Sequence, residues 1–248
     1  MEPAAPSPDA KLPGHLGRLA GGTVTPALKA FFATARRVVF VRGDTLIADG
    51  DSADTVLDVL TGELILARHG SDGRRQVLGF VGSSHFVGMS PGRHYALSLT
   101  ALSDGVALRY DRKALDSALE AEPKFAAAFR HTMELVLASA HDHLFALGQR
   151  SAVERLSAFL LHQRLWQARF GPDAPRDPSL AVRLPMTRTD IGDFLGLTIE
   201  TVSRAFTTLR KSNAISLPNA NLAVIRDLGV LRKLAGARDF ANLPSIDD

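Results

Sequence analysis

The sequence contains no cysteine. That excludes disulfides, thiolate zinc sites, cysteine-held iron–sulfur clusters and a cysteine nucleophile. It also has no long apolar run. The longest charge-free stretch, Gln76–Gly92, is 17 residues broken by Gly and Ser, too short and too polar to span a bilayer. The first 28 residues lack a cationic start followed by an apolar run, so no secretory signal is expected. A soluble cytoplasmic protein with no membrane partner is the expectation. Charge of one sign is nearly absent too: 29 Lys+Arg stand against 26 Asp+Glu, a net +3. With 46% apolar and 22% charged residues, the 248-residue chain is globular in composition, and its length suits one large domain or two modest ones.

The small charge excess is unevenly placed. Residues 1–150 hold 16 basic and 16 acidic residues, and residues 151–248 hold 13 and 10. Arg183–Arg226 carries six basic residues against Asp190, Asp193 and Glu200. A basic C-terminal half fits an anionic partner such as nucleic acid.

Three blocks follow a Pro-, Ala- and Gly-rich opening, Met1–Gly22, which reads as a flexible tail. From Val38 to Tyr110, short strand-like runs (Val38–Val41, Val56–Leu60, Leu64–Arg68, Gln76–Val81) are punctuated by Gly-containing turns. With no helix between them, they predict an antiparallel jelly roll. Pro123–Leu147 then predicts one long helix of roughly 37 Å, with Pro in its first turn and Gly148 at its stop. Met133, Leu137, Ala140, Leu144 and Leu147 repeat at 4-3-4-3 spacing, a heptad seam for pairing with a second copy. Phe129, Val136 and His143 form a second stripe beside it, suited to packing on the barrel.

The third block is helical with strand punctuation. Ser151–Glu154 has capping-box form and opens an amphipathic helix, and Pro172, Pro175 and Pro178 mark a loop. Thr187 caps a short helix with Asp190 reaching back, and Gly196 breaks it. Thr198 caps a second helix, Ile199 to about Ser212, whose apolar face is Val202, Ala205, Phe206 and Leu209. Two short helices joined by a tight Gly turn form a helix-turn-helix, whose second helix enters the major groove. Its exposed start carries Ile199, Glu200, Ser203 and Arg204. Arg204 suits guanine O6 and N7, Glu200 the cytosine amino group, Ser203 either kind of edge group, and Ile199 a thymine methyl. Arg188, Thr189 and Thr198 are placed to hold phosphates. The competing reading makes Glu200 and Arg204 a plain i,i+4 surface ion pair. Ala214–Leu217 and Leu222–Ile225, joined by Pro218–Asn221, read as a hairpin after the second helix, that is, a wing.

The run Thr187–Arg204 resembles the DNA-binding signature of the CRP/FNR transcription regulators, and the order of barrel, long helix and winged module matches theirs. The Glu200-x-x-Ser203-Arg204 pattern resembles the FNR/FixK branch. The resemblance implies an α+β fold in four parts: a tail over 1–22, a cyclic-nucleotide-binding-like β jelly roll over 23–122, a dimerisation helix over 123–147, and a winged helix-turn-helix over 148–248. It implies a homodimer on a site resembling TTGAT-N4-ATCAA, read by Glu200, Ser203 and Arg204, with RNA polymerase as a further partner because the family leans to activation.

The input signal departs from the relatives. The cyclic-nucleotide branch has Gly-Glu and then Arg-Ser/Thr; here the matching stretches are Val87-Gly88-Met89 and His94-Tyr95-Ala96-Leu97. Carboxylate and guanidinium are both missing, so cyclic-nucleotide control is not expected. Two inputs stay open: no ligand and no cofactor, as in FixK-like proteins, or haem held by one of His85, His94, His131 and His143. His141-Asp142-His143 is not a metal motif, since i,i+2 residues do not share a helix face. A cupin-like metalloenzyme would need clustered His and Glu around His85 and His94, which the sequence does not supply; no catalytic or metal residues are expected.

Overall fold

A computed structural model describes residues 14–21, 25–170 and 180–236. These fall into two compact units. One takes in residues up to His69 together with Leu78–Leu137; the other takes in Gly70–Val77 and the residues from Ala138 onward.

The first unit opens with two helices, Gly14–Leu19 (α1) and Pro26–Ala33 (α2). Eight strands follow: Arg36–Phe40 (β1), Thr45–Ile47 (β2), Thr55–Thr61 (β3), Glu63–His69 (β4), Arg75–Gly82 (β5), Phe86–Val87 (β6), Ser98–Ala101 (β7) and Gly105–Asp111 (β8). They build two four-stranded sheets, ordered β1-β8-β3-β6 and β2-β7-β4-β5. This is the expected jelly roll. Strand side chains alternate between faces, and the alternation sorts the core. Leu57, Val59 and Ala107 pack with Phe40, Leu64, Tyr95 and Leu99. Val56, Leu108 and Tyr110 point the other way and pack with Phe31, Phe32, Phe125 and Phe129. The β3–β4 turn requires glycine: Gly62 has φ +91°, and a Cβ there would strike the Asp104 carbonyl and Gly105. Helix α3, Arg112–Ala121, is capped by Asp111 and leads into α4, Pro123–Gln149.

One expectation needs correction. Residues 1–13 and 22 of the anticipated tail lie outside the described residues, but Gly14–Leu19 is helical and Leu16 is fully buried. The cause is Asp58, which interrupts the apolar run of β3 and is itself fully buried. Its two carboxylate oxygens accept hydrogen bonds from the His15 and Leu16 amides, each at 2.9 Å. A Cβ at Gly14, where φ is +81°, would collide with that carboxylate. The Pro172, Pro175 and Pro178 loop also lies outside the described residues.

This anchor sets a pH dependence. Burial raises the Asp58 carboxyl to about 6, against the pull of the two amides. Burial lowers His15, whose ring stacks on Phe86, to about 4. Between pH 4 and 6 folded Asp58 keeps a proton that an unfolded aspartate loses, so its contribution to stability falls as pH rises. Over the same range folded His15 stays neutral while an unfolded histidine is charged, so its contribution rises with pH. The two slopes oppose. His15→Gln is therefore expected to unmask the aspartate once the other titrating groups are cancelled: measured by chemical denaturation relative to His15→Gln/Asp58→Asn, its stability should fall by about 2–3 kcal/mol from pH 4 to pH 6.5. A stability difference between the two variants that rises or stays flat over that range would refute the assignment.

The second unit contains the last turns of α4, then Ala152–Phe170 (α5), Ala181–Arg183 (β9), Arg188–Leu195 (α6), Ile199–Lys211 (α7), Ile215–Asn219 (β10), Leu222–Ile225 (β11) and Leu228–Ala235 (α8). Gly148 does not stop α4. The helix runs to Gln149 and ends because Ser151 begins capping α5: the Ser151 amide donates to Glu154 at 2.7 Å. The three strands pair in the order β10-β11-β9.

Candidate nucleic-acid interface

Helix α6 starts where a capping box forms. Thr187 accepts from the Asp190 amide while Asp190 accepts from the Thr187 amide at 2.8 Å. Burial acts to raise the Asp190 carboxyl, but bonds from Thr187 and Arg75 outweigh it and hold the group below the ordinary carboxylate range. The helix ends at Gly196 in the left-handed region, φ +63° and ψ 42°, a conformation that favours glycine. Leu197 then leads to Thr198, whose hydroxyl accepts from the Thr201 amide and caps α7.

Burial decides which face of α7 is free. Val202, Ala205, Phe206 and Leu209 are buried, as their spacing predicts. Glu200, Ser203 and Arg204 are exposed, and Ile199 is 46% exposed although apolar. The four groups proposed to meet bases thus lie on the outward side of the first turns of α7. Glu200 and Arg204 are not ion-paired. Arg204 donates from its guanidinium to the Thr201 hydroxyl at 2.9 Å. The Glu200 carboxyl is held below its ordinary range by its own backbone N–H and then by the Thr198 hydroxyl. It is an anion at neutral pH and can accept from an amino group. Ser203 donates to the Ile199 carbonyl at 2.8 Å, which leaves its lone pairs outward.

The residues proposed for phosphates divide. Thr189 and Thr198 are exposed at the starts of α6 and α7. Arg188 is drawn inward: its guanidinium carbon lies 3.4 Å over the Phe206 ring, and burial lowers its pKa. The sequence did not show this, because Phe206 comes 18 positions later and meets Arg188 only when α6 packs on α7.

The proposed seam residues also divide. Leu137 and Leu144 are 57% and 64% exposed, and Ala140 between them is exposed. Met133 is half-buried against the aromatic cluster of the first unit. Leu147 is half-buried near Gly196. Leu135, Val136 and Phe145, outside the anticipated seam, are all more than half exposed. Of the second stripe, Phe129 is buried, whereas His143 stacks on Phe194 with ring centroids 4.2 Å apart. Burial lowers the His143 pKa; the Phe194 backbone opposes that and Arg155 adds to it.

Two family models match the two parts. Residues 37–122 match the cyclic nucleotide-binding domain, and residues 154–234 match the Crp-like helix-turn-helix domain. The nitrogen fixation regulation protein FixK of Bradyrhizobium diazoefficiens is 34% identical over 198 residues, covering 80% of this chain and 81% of that protein. FixK of Azorhizobium caulinodans is 35% identical over 196 residues, 79% of this chain and 77% of that one. The chain belongs to the CRP/FNR family. The solved structure of FixK2 from Bradyrhizobium japonicum superposes with a TM-score of 0.72 at 30% identity, covering 81% of this chain and 96% of that chain. This CRP/FNR protein is a FixK-like, DNA-binding transcription regulator and not an enzyme. Among its described residues no group of three or more metal-ligating side chains comes together, and no helix is long and apolar enough to cross a membrane.

Proposed function

We propose that the protein binds a TTGAT-N4-ATCAA-like palindrome as a homodimer, without cyclic nucleotide or iron–sulfur cluster, and contacts RNA polymerase when it activates. The observation that carries this reading is the exposed, outward set Glu200, Ser203 and Arg204 at the start of α7, whose hydrogen bonds are all local to that helix and its cap. An acceptor, a hydroxyl and a guanidinium there match the cytosine, mixed and guanine edges of such a half-site. Thr189 and Thr198 supply phosphate contacts. A palindrome needs two copies about one helical turn apart, roughly 34 Å. The exposed Leu137, Ala140 and Leu144 on α4 offer the second copy its contact.

The barrel interior supports independence from cyclic nucleotide. In the stretch matching the phosphate-binding segment, the Tyr95 side chain is buried among Phe40, Leu57 and Leu99, and its hydroxyl donates to the Thr55 carbonyl at 2.5 Å. The segment His94–Leu97 itself carries no arginine or lysine to balance a phosphate. Purified protein is expected to retain a duplex carrying the palindrome, and not a scrambled one, with no added ligand, and to show no Soret band. Retention only after a cyclic nucleotide or haem is supplied would overturn the ligand-free reading.

A further inference from the structure

Arg155 lies one residue past the box that opens α5, and its side chain reaches three backbone carbonyls. Nε donates to Arg150 O at 2.9 Å, Nη2 to Leu147 O at 2.6 Å and Nη1 to Leu195 O at 2.8 Å. All three acceptors belong to helix ends. Leu147 is in the last turn of α4, Arg150 directly follows that helix, and Leu195 is the last residue of α6. Carbonyls at a helix C-terminus lack intrahelical partners and carry the negative end of the helix dipole. One planar cation therefore satisfies two helix C-termini at once, using the fork geometry that only arginine provides.

The surroundings hold that arrangement in place. Gly196 caps α6 beside it, and a Cβ there would come within 3.2 Å of Leu147 and 3.5 Å of the Arg155 guanidinium. One turn earlier on α4, His143 stacks on Phe194 of α6, and Phe159 of α5 lies 5.8 Å from the same ring. Helix α7 follows α6 after only Gly196, Leu197 and Thr198. The angle between the end of α4 and α6 therefore sets the direction of the recognition helix.

We propose that Arg155 is a positioning residue that fixes the recognition helix against the end of α4 and so sets the spacing between the two half-sites that the protein accepts. It touches no base. This rests on the dimeric, palindromic reading above. Each half of a dimer carries the joint once, so a small change of angle at Arg155 acts twice on the separation of the two α7 helices.

The test uses the full chain and fluorescence anisotropy, with duplexes carrying two half-sites three, four, five or six base pairs apart and a duplex with one half-site. The wild type is expected to prefer the four-base-pair spacer. Arg155→Gln is expected to lose about tenfold on that duplex, which flattens the spacer profile, while single half-site affinity stays within about twofold. Arg155→Lys keeps the charge but cannot reach three carbonyls, so it should flatten the profile as well. It also serves if the glutamine variant does not fold. An unchanged spacer preference in a folded variant, full rescue by lysine, or an equal loss on the single half-site would overturn the proposal. A wild type that binds one half-site as tightly as two would overturn the palindromic reading, and this inference with it.

Discussion

Leu137→Glu combined with Leu144→Glu is expected to convert the protein into a folded monomer that has lost about a hundredfold or more of its affinity for the palindrome. Both side chains are more than half exposed in the single chain, so the monomer buries little through them and its own fold does not depend on them; only the stabilisation that pairing adds should be lost. A symmetric pairing of two α4 helices would bring each residue close to its copy or a near neighbour. Four carboxylates would then be forced into one apolar seam, where unpaired charge is expensive. The loss on DNA follows from geometry: once one copy is bound, the other is held at a high effective concentration over the second half-site. Sedimentation and anisotropy on the same samples check both halves. A double variant that stays dimeric and binds the palindrome fully would remove α4 as the pairing surface.

Arg204→Ala is expected to weaken cognate binding by about 1–3 kcal/mol and to relax the choice at one guanine. The guanidinium is free to move, because its one side-chain partner is the exposed hydroxyl bond to Thr201. Rotating toward a base exchanges one neutral bond for two to O6 and N7. Removing it should cost little stability, since Val202, Ala205, Phe206 and Leu209 hold α7 from the other face. Titration against duplexes substituted at each half-site position identifies the base it reads. An equal loss on cognate and scrambled DNA would make Arg204 a phosphate contact. Arg188 is the useful contrast. Its stacking on Phe206 gives Arg188→Ala a cost in folding before any cost in binding.

Much of the molecule is legible in one dimension because its signals are local. Gly62 ends one strand and begins another because its positive φ is written in a three-residue turn. The Thr187–Asp190 box and the Gly196 break are each complete within a few positions. The 3.6-residue period of Val202, Ala205, Phe206 and Leu209 assigns the inner face of α7, and by exclusion the outer face with Glu200, Ser203 and Arg204.

What escapes that reading depends on partners far apart in the chain. Asp58 looks like a fault in a strand until residues 15 and 16 bring their amides to it, and the resulting helix replaces part of an expected tail. Met133 fits the heptad as well as Leu137 does, yet the aromatic cluster covers one and leaves the other bare. Arg155 is an unremarkable cation beside a capping box until two helix ends converge on it. Spacing and turn chemistry therefore decide the order of the parts and the face of α7 turned outward, since both follow from backbone geometry within a few residues. Which charges are buried, which apolar side chains stay exposed and which cation joins the helices are decided only by packing, because burial and partnership arise between segments that sequence distance does not relate.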